Sequence, residues 1–170
     1  MPSLLAQKKV REARFFLGEL RKRDEISRLD LEEEFGFQVS AFLSASSSVQ
    51  SVLSVENPGT FKPHRNAWLA SMDDDLRLIV NFMFDRRRLT VHQGKGSARQ
   101  LVEHVHVLKE KVKEGRAHGA RVIQPWAYDN GATIGIATYV LAIDGHQLPA
   151  VATCDRYLAA LEDLIARCEG

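Results

Sequence analysis

Residues Leu76–His92 read LRLIVNFMFDRRRLTVH, and their apolar side chains recur with the period of a helix. On a helix with about 100° per residue, they form two stripes on opposite sides: Leu76, Ile79, Val80 and Met83 on one, and Leu78, Phe82 and Leu89 on the other. A helix that is apolar on two sides packs at the centre of a bundle, or is shared between the core and a partner subunit. The sequence therefore predicts a central helix over residues 73–91, with Ser71 or Asp73 available as its N-cap.

The flanking sequence supplies the helices that would surround it. Apolar residues at steps of three and four predict a helix over residues 4–23, a second over residues 30–54, and a last one that begins near Pro149. The second helix is expected to end at Asn57-Pro58-Gly59, a sequence typical of a turn. The segment that follows, around Trp68, is expected to be a connector.

Residues 98–148 lack a continuous helical period. Their first part fits a helix or a strand, with extended structure favoured from His104 to Glu110. Tyr139–Ile143 is expected to be a strand that ends at an Asp144-Gly145 turn. We predict a mainly α fold, a helical bundle formed by a single domain over residues 1–170, in which this region is inserted as a small β element before the C-terminal helix.

The composition excludes several classes of protein. The chain has 170 residues, of which 45% are hydrophobic and 26% charged, with a net charge of +1. A nearly neutral chain has no overall field that attracts nucleic acid or an anionic membrane, so such binding needs a local patch. There is no apolar run of ~20 residues that could span a membrane and no secretory leader, so we expect a cytoplasmic protein. Cys154 and Cys168 occupy apolar positions of the last helix and are expected to be free thiols.

The second predicted helix is rich in serine. The serines are Ser44, Ser46, Ser47, Ser48 and Ser51. Because small side chains let another backbone approach closely, this stretch is a candidate for a tight helix–helix contact or a dimer contact. The alternative interpretation is a solvated, serine-rich turn.

One arginine stands at an unusual position. Arg87 lies within about 20° of the middle of the stripe that contains Met83. A guanidinium there must be paired, or must open onto a cavity or an interface, because burying an isolated charge is costly. His92 exchanges protons near neutral pH. An arginine that holds a phosphate and a histidine that acts as acid or base are the minimum parts for phosphodiester cleavage. Arg86 and Arg88, in contrast, are explained by a solvated helix end.

The run Arg87-Arg88-Leu89-Thr90-Val91-His92 resembles the R-x4-6-H motif of the HEPN superfamily. It lies where that motif lies, at the end of a late helix that follows two long amphipathic helices. The resemblance covers about residues 5–92 and extends to the final helix, but it leaves out residues 98–148. It implies a HEPN-like helical bundle that forms a homodimer and cleaves RNA without a metal. It also implies a role in a toxin–antitoxin or phage-defence system, with an antitoxin or a nucleotidyltransferase as a further partner.

The resemblance also assigns roles to individual residues. Arg87 would stabilise charge on the scissile phosphate, and His92 would take a proton from, or give one to, the ribose oxygens, in a cleft between two protomers. Arg86 also satisfies the spacing of the motif, so either arginine could be the motif residue. In the family the residue after the arginine is usually short and polar. Here it is Arg88, an extra cation that we assign, together with Arg86, to RNA binding.

A pair of histidines, His104 and His106, is a further candidate for a metal site. His104 and His106 would share one face of a strand, but no Cys, Asp or Glu ligands stand nearby at the spacing of a metal site, so we expect no metal and no cofactor. The alternative function is a non-catalytic, HEPN-like helical module for dimerisation or interaction. The two-sided central helix, the serine-rich helix and the atypical Arg88 favour it.

Overall fold

The computed structural model describes the backbone of residues 3–26, 32–93, 98–107, 116–117, 120–128, 131–143 and 146–170, and the side chains of residues 3–24, 34–85, 139–141, 143 and 146–170. Within these residues there are five helices: α1 (Leu4–Ile26), α2 (Glu32–Glu56), α3 (Phe61–Ala70), α4 (Asp74–Gln93) and α5 (Ala150–Glu169). The fold is mainly helical, and the predicted bundle is confirmed.

Helices α1 and α2 form an antiparallel pair. Their buried residues recur at steps of three and four: Ala6, Val10, Ala13, Leu17 and Leu20 on α1, and Phe35, Val39, Phe42, Val49 and Leu53 on α2. The sequence pattern predicts Leu5 in place of Ala6 on α1, which is wrong, since Leu5 is exposed. At one end of the pair the Ser3 hydroxyl donates to the Glu56 carboxylate. At the other end Arg23 and Glu34 form an ion pair at 2.8 Å.

Helix α5 packs along α1. Its buried side includes Cys154, Tyr157, Leu158, Leu161, Leu164 and Ile165. At the rim of this contact Arg14 pairs with Glu162, and Arg21 pairs with Asp155. Because exposed ion pairs of this kind each contribute little, the apolar side of α5 supplies most of the stabilisation.

Helix α3 corrects one expectation. The sequence pattern predicts a connector around Trp68, but the structure has a helix there. Pro63 is tolerated because it lies in the first turn, where its missing N–H would have no acceptor within the helix. Trp68 is fully buried, and its Nε1 donates to the main-chain oxygen of Ala160 on α5 at 3.0 Å. The helix is too short, and has too few buried residues, for periodicity to identify it.

The described residues between α4 and α5 form five strands: β1 (Ala98–Val107), β2 (Arg116–Ala117), β3 (Ala120–Tyr128), β4 (Gly131–Ile143) and β5 (His146–Pro149). All pairings are antiparallel; β4 pairs with β1, β3 and β5, and β2 pairs with β3. The predicted β element before the last helix is therefore confirmed. Extended structure begins at Ala98 rather than at His104, which decides between the two alternatives for this region in favour of a strand. Ile143 pairs with His146, and the predicted Asp144-Gly145 turn lies outside the described residues.

The end of β4 belongs to the core of the bundle. Tyr139, Leu141 and Ile143 are buried in the same apolar cluster as the helices. The Tyr139 ring stacks on Phe35 of α2, with the ring centroids 3.8 Å apart. The end of β4 is thus packed directly against α2.

Candidate functional site

Helix α4 carries the predicted motif, and its start is fixed by hydrogen bonds. The main-chain nitrogen of Leu76 donates to Asp73 Oδ1 at 2.6 Å, so Asp73 is an N-cap of this helix. The Arg77 guanidinium donates to the main-chain oxygens of Leu69 at 3.1 Å and Met72 at 2.8 Å. These bonds join the start of α4 to the end of α3 and set the direction in which α4 runs.

The described part of α4 has the two predicted apolar sides. Ile79, Val80 and Met83 are buried on one side, and Leu78 and Phe82 pack against the core from the other. The helix continues without a break to Gln93. Residue 87 therefore follows Met83 by about one turn on the same side of α4, and residue 92 lies ~7.5 Å further along the axis.

The predicted site residues lie together near the C-terminal end of this helix. They are Arg86, Arg87, Arg88 and His92. Their side chains lie outside the described part of the structure, so the roles assigned to them stay predictions. The side chains of His104 and His106 lie outside it as well; the backbone of both residues is in β1.

A cation that sequence analysis missed lies beside this part of α4. Arg65 of α3 holds its guanidinium over the ring of Phe84, with Cζ 5.6 Å from the ring centroid. Arg65 Nε donates to Gln50 Oε1 of α2 at 2.9 Å. Phe84 is one helical turn before Arg88, so the guanidinium lies next to the end of α4 that carries the motif. We call Gln50, Arg65 and Phe84 the Arg65 cluster.

The three residues of the Arg65 cluster lie on three different helices, and none of them is a carboxylate. Among the residues that the structure describes, Arg65 takes part in no ion pair, although its side chain is half-buried. Gln50 is only 3% exposed, and within the same residues its Nε2 has no acceptor. One signal was present in the sequence, since α3 contains Lys62, His64 and Arg65 and no acidic residue. It could not be used because the segment was interpreted as a connector.

The outward side of α2 is the second notable surface. Phe37, Ala41, Ser44, Ser48, Ser51 and Val55 lie within about 40° of one line along this helix, and all are exposed or half-exposed. Phe37 is 64% exposed and Val55 is 80% exposed. No charged residue occurs between residues 35 and 55. We call these six residues the α2 outer face.

The serine-rich stretch divides between this face and the core. Ser46 and Ser47 are fully buried, and their hydroxyls donate to the main-chain oxygens of Phe42 at 2.7 Å and Leu43 at 2.6 Å. The solvated-turn interpretation is therefore wrong for these two serines, which are buried within α2. Ser44 and Ser51 are exposed. A dimer contact through them stays a prediction.

The α2 outer face matches itself under a two-fold rotation. If two copies pack antiparallel about the level of residue 46, residue 37 lies opposite residue 55, residue 41 opposite residue 51, and residue 44 opposite residue 48. Phe37 of each copy then meets Val55 of the other copy, and small residues meet between these two apolar pairs. Self-complementarity of this kind is what an isologous dimer contact requires.

A separate groove lies elsewhere among the described residues. It has a volume of about 430 Å³ and runs between the start of α4 and α5, over Trp68, Met72 and Leu76. Its rim carries Arg167, which pairs with Asp163 at 2.8 Å. Since residues 87 and 92 lie ~17 and ~24 Å along α4 from Leu76 in the groove, the groove does not contribute to the predicted site.

The two cysteines are free thiols, as predicted. Cys154 is fully buried, and this burial, with a smaller effect of Asp155, raises the pKa of its thiol above the ordinary value. Burial and the neighbouring Glu169 also raise the pKa of Cys168. A thiol with a raised pKa is a poor nucleophile, so neither cysteine is a candidate catalytic residue.

Among the described residues, no group of three or more His, Cys, Asp or Glu side chains is arranged to hold a metal ion. None of the helices described is long and apolar enough to cross a bilayer.

Comparison of the sequence with protein-family models and with curated proteins, and of the fold with solved structures, finds no match.

Proposed function

We propose that this chain is a HEPN-like, metal-independent endoribonuclease that acts as a homodimer. The observation that carries the proposal is the unbroken α4, which puts residues 87 and 92 near one helix end. The Arg65 guanidinium lies beside the same end. Arg86 and Arg88 add two more cations to this segment, which gives a nearly neutral chain the local positive patch that RNA binding needs.

In this proposal the motif residues divide the chemistry between them. The ribose 2′-oxygen attacks the phosphorus as it loses its proton, the bond from phosphorus to the 5′-oxygen breaks, and the 5′-oxygen takes up a proton. His92, from one protomer or from both, transfers these protons. Arg87 stabilises the negative charge that builds up on the phosphate oxygens. A toxin–antitoxin or phage-defence role, with an antitoxin or a nucleotidyltransferase as partner, is the biological setting that we propose for this activity.

An RNA-cleavage assay in EDTA tests the proposal. We expect the native protein to cleave single-stranded RNA and the variants Arg87→Ala and His92→Ala to lose at least ~100-fold in rate, the usual contribution of a positioned acid or base. Arg11→Ala, an exposed arginine on α1, is the matched control and should keep full activity. Cleavage that needs a divalent metal, or that survives in both motif variants, would contradict the proposal.

The α2 outer face favours a second candidate function, a non-catalytic dimerisation or interaction module. An uncharged and exposed helix face that matches itself is explained by contact with a second copy of the chain and does not require catalysis. A protein that is dimeric through α2 but does not cleave RNA under any of the assay conditions would favour this candidate.

A further inference from the structure

We propose that Arg65 binds a backbone phosphate of single-stranded RNA that flanks the scissile phosphate at the α4 motif. The inference rests on the proposed function and extends it to a residue on another helix. Three observations carry it: Arg65 is a cation without a described carboxylate partner, its guanidinium is held by two other helices, and it lies beside the end of α4 that carries Arg86, Arg87 and Arg88.

The described residues do not neutralise the positive charge of Arg65. A half-buried arginine is normally compensated by a carboxylate, because its charge has lost part of its hydration. Arg65 has instead a neutral amide and an aromatic ring as its described contacts. Both interactions are compatible with the cation but neither neutralises it. An anion from outside the chain would complete the charge balance.

Gln50 and Phe84 fix the orientation of the Arg65 guanidinium. Arg65 Nε is engaged by Gln50, whereas no described residue accepts a hydrogen bond from the terminal nitrogens of the guanidinium. These nitrogens form the part of the fork that grips a phosphate with two bonds. The Phe84 ring supports the flat side of the same group. A side chain held in this way loses little conformational freedom when it binds a phosphate.

Gln50 makes only part of the hydrogen bonds that its buried amide could form. Its amide is almost completely buried, its Oε1 is committed to Arg65, and within the described residues its Nε2 has no acceptor. A buried N–H without an acceptor costs free energy, so a purely structural contact would be expected to satisfy it. The arrangement gives up one hydrogen bond of the amide and keeps the one that orients the guanidinium.

Arg65 lies close to the motif along the axis of α4. Residue 88 follows Phe84 by one turn, and residue 92 follows it by about two turns, ~12 Å along the axis of α4. A strand of RNA whose scissile phosphate lies at the motif therefore extends past Arg65 on one side. Arg65 would hold this strand and would not touch the reacting atoms, so it is a positioning residue.

The test is the salt dependence of RNA binding, measured by fluorescence anisotropy. The probe is a labelled 2′-O-methyl RNA oligonucleotide, which cannot be cleaved because the attacking hydroxyl is blocked. For single strands each phosphate contact contributes about 0.7 to the slope of log Kd against log salt concentration. We expect Arg65→Gln to weaken binding several-fold and to lower this slope by about 0.7. Arg11→Gln, which removes the same charge from α1, should leave both values unchanged.

Two further variants separate phosphate binding from a structural role. Phe84→Leu removes the ring beneath the guanidinium but keeps the charge, so it should weaken binding and leave the slope as in the native protein. Arg65→Lys keeps the charge and should also retain the slope. If Arg65→Gln unfolds at a lower temperature but retains the native slope, Arg65 only joins the helices, and the inference is wrong.

Failure of this inference can be distinguished from failure of the proposed nuclease. Cleavage of ordinary RNA in EDTA with a native slope in Arg65→Gln would overturn the phosphate site and leave the nuclease. A slope that depends on Arg65 without any cleavage would support the site and overturn the nuclease. If the native protein does not bind the oligonucleotide even at low salt, the site is also overturned.

Discussion

Two single residues, Trp68 and Gln50, show how side chains fix the relative positions of the helices. Trp68 joins α3 to α5 through one hydrogen bond, from its Nε1 to the main-chain oxygen of Ala160. Gln50 joins α2 to α3 through Arg65. Each contact links residues far apart in the chain, so no local pattern in the sequence predicts it. Helix α3, which holds the candidate phosphate-binding arginine, is kept in place by these two contacts.

The contribution of the Trp68 contact can be measured. Trp68→Phe keeps an aromatic ring in the site but removes the Nε1 donor and leaves a small cavity. We expect the free energy of unfolding to fall by about 1–3 kcal/mol, measured by urea denaturation. Leu4→Ala, at an exposed position on α1, should change it by less than about 0.5 kcal/mol. A loss for Trp68→Phe no larger than that of this control would show that the indole contact does not hold α3.

At the scale of elements, what could be predicted depends on whether an element repeats one pattern for several turns. Helices α1, α2, α4 and α5 do so, and their buried faces were identified from spacing alone. Helix α3 has ten residues with one fully buried anchor, so its segment is interpreted wrongly as a connector. Strand β1 fits both periods, so extended structure is favoured only from His104 and its start at Ala98 is missed. For the site, the motif could be placed on α4, but Arg65 could not be joined to it. That contact depends on how α2, α3 and α4 pack together.

The α2 outer face gives a prediction for one element. Under the two-fold arrangement Ser48 lies opposite Ser44 of the second copy, so Ser48→Glu places two uncompensated carboxylates inside an uncharged contact. We expect the native protein to sediment as a dimer at micromolar concentration, and Ser48→Glu to weaken the dimer at least ~10-fold, since burying such charges costs more than 1.4 kcal/mol. The measurement is sedimentation velocity over a range of concentrations.

Ser54→Glu is the matched control for this prediction. It places the same charge on the same helix at an exposed position outside the α2 outer face, so it should leave the dimer intact. Circular dichroism would check that both variants are folded. A native protein that is monomeric at ~100 μM, well above micromolar affinity, would remove the α2 contact from both candidate functions. Equal disruption by the two glutamates would show that the dimer uses another surface.

At the scale of the whole molecule, the sheet and the bundle share one core. Tyr139, Leu141 and Ile143 of β4 are buried with residues from the helices, and α5 follows β5 directly. The end of β4 and α5 therefore contribute to the same core. Because the same core holds α4, the position of the motif depends on residues that lie more than 40 positions later in the sequence.

This shared core predicts cooperative unfolding. Leu141 is completely buried, so Leu141→Ala should lower the free energy of unfolding by about 2–5 kcal/mol, the range for a leucine removed from a core. Leu148→Ala, at the half-buried residue of the otherwise exposed strand β5, is the comparison and should cost less. In the Leu141→Ala variant the helical circular dichroism signal and the tryptophan fluorescence should shift together to lower urea concentration. If the helical signal kept its native midpoint, the bundle would be stable independently of β4, and the placement of α4 would not depend on it.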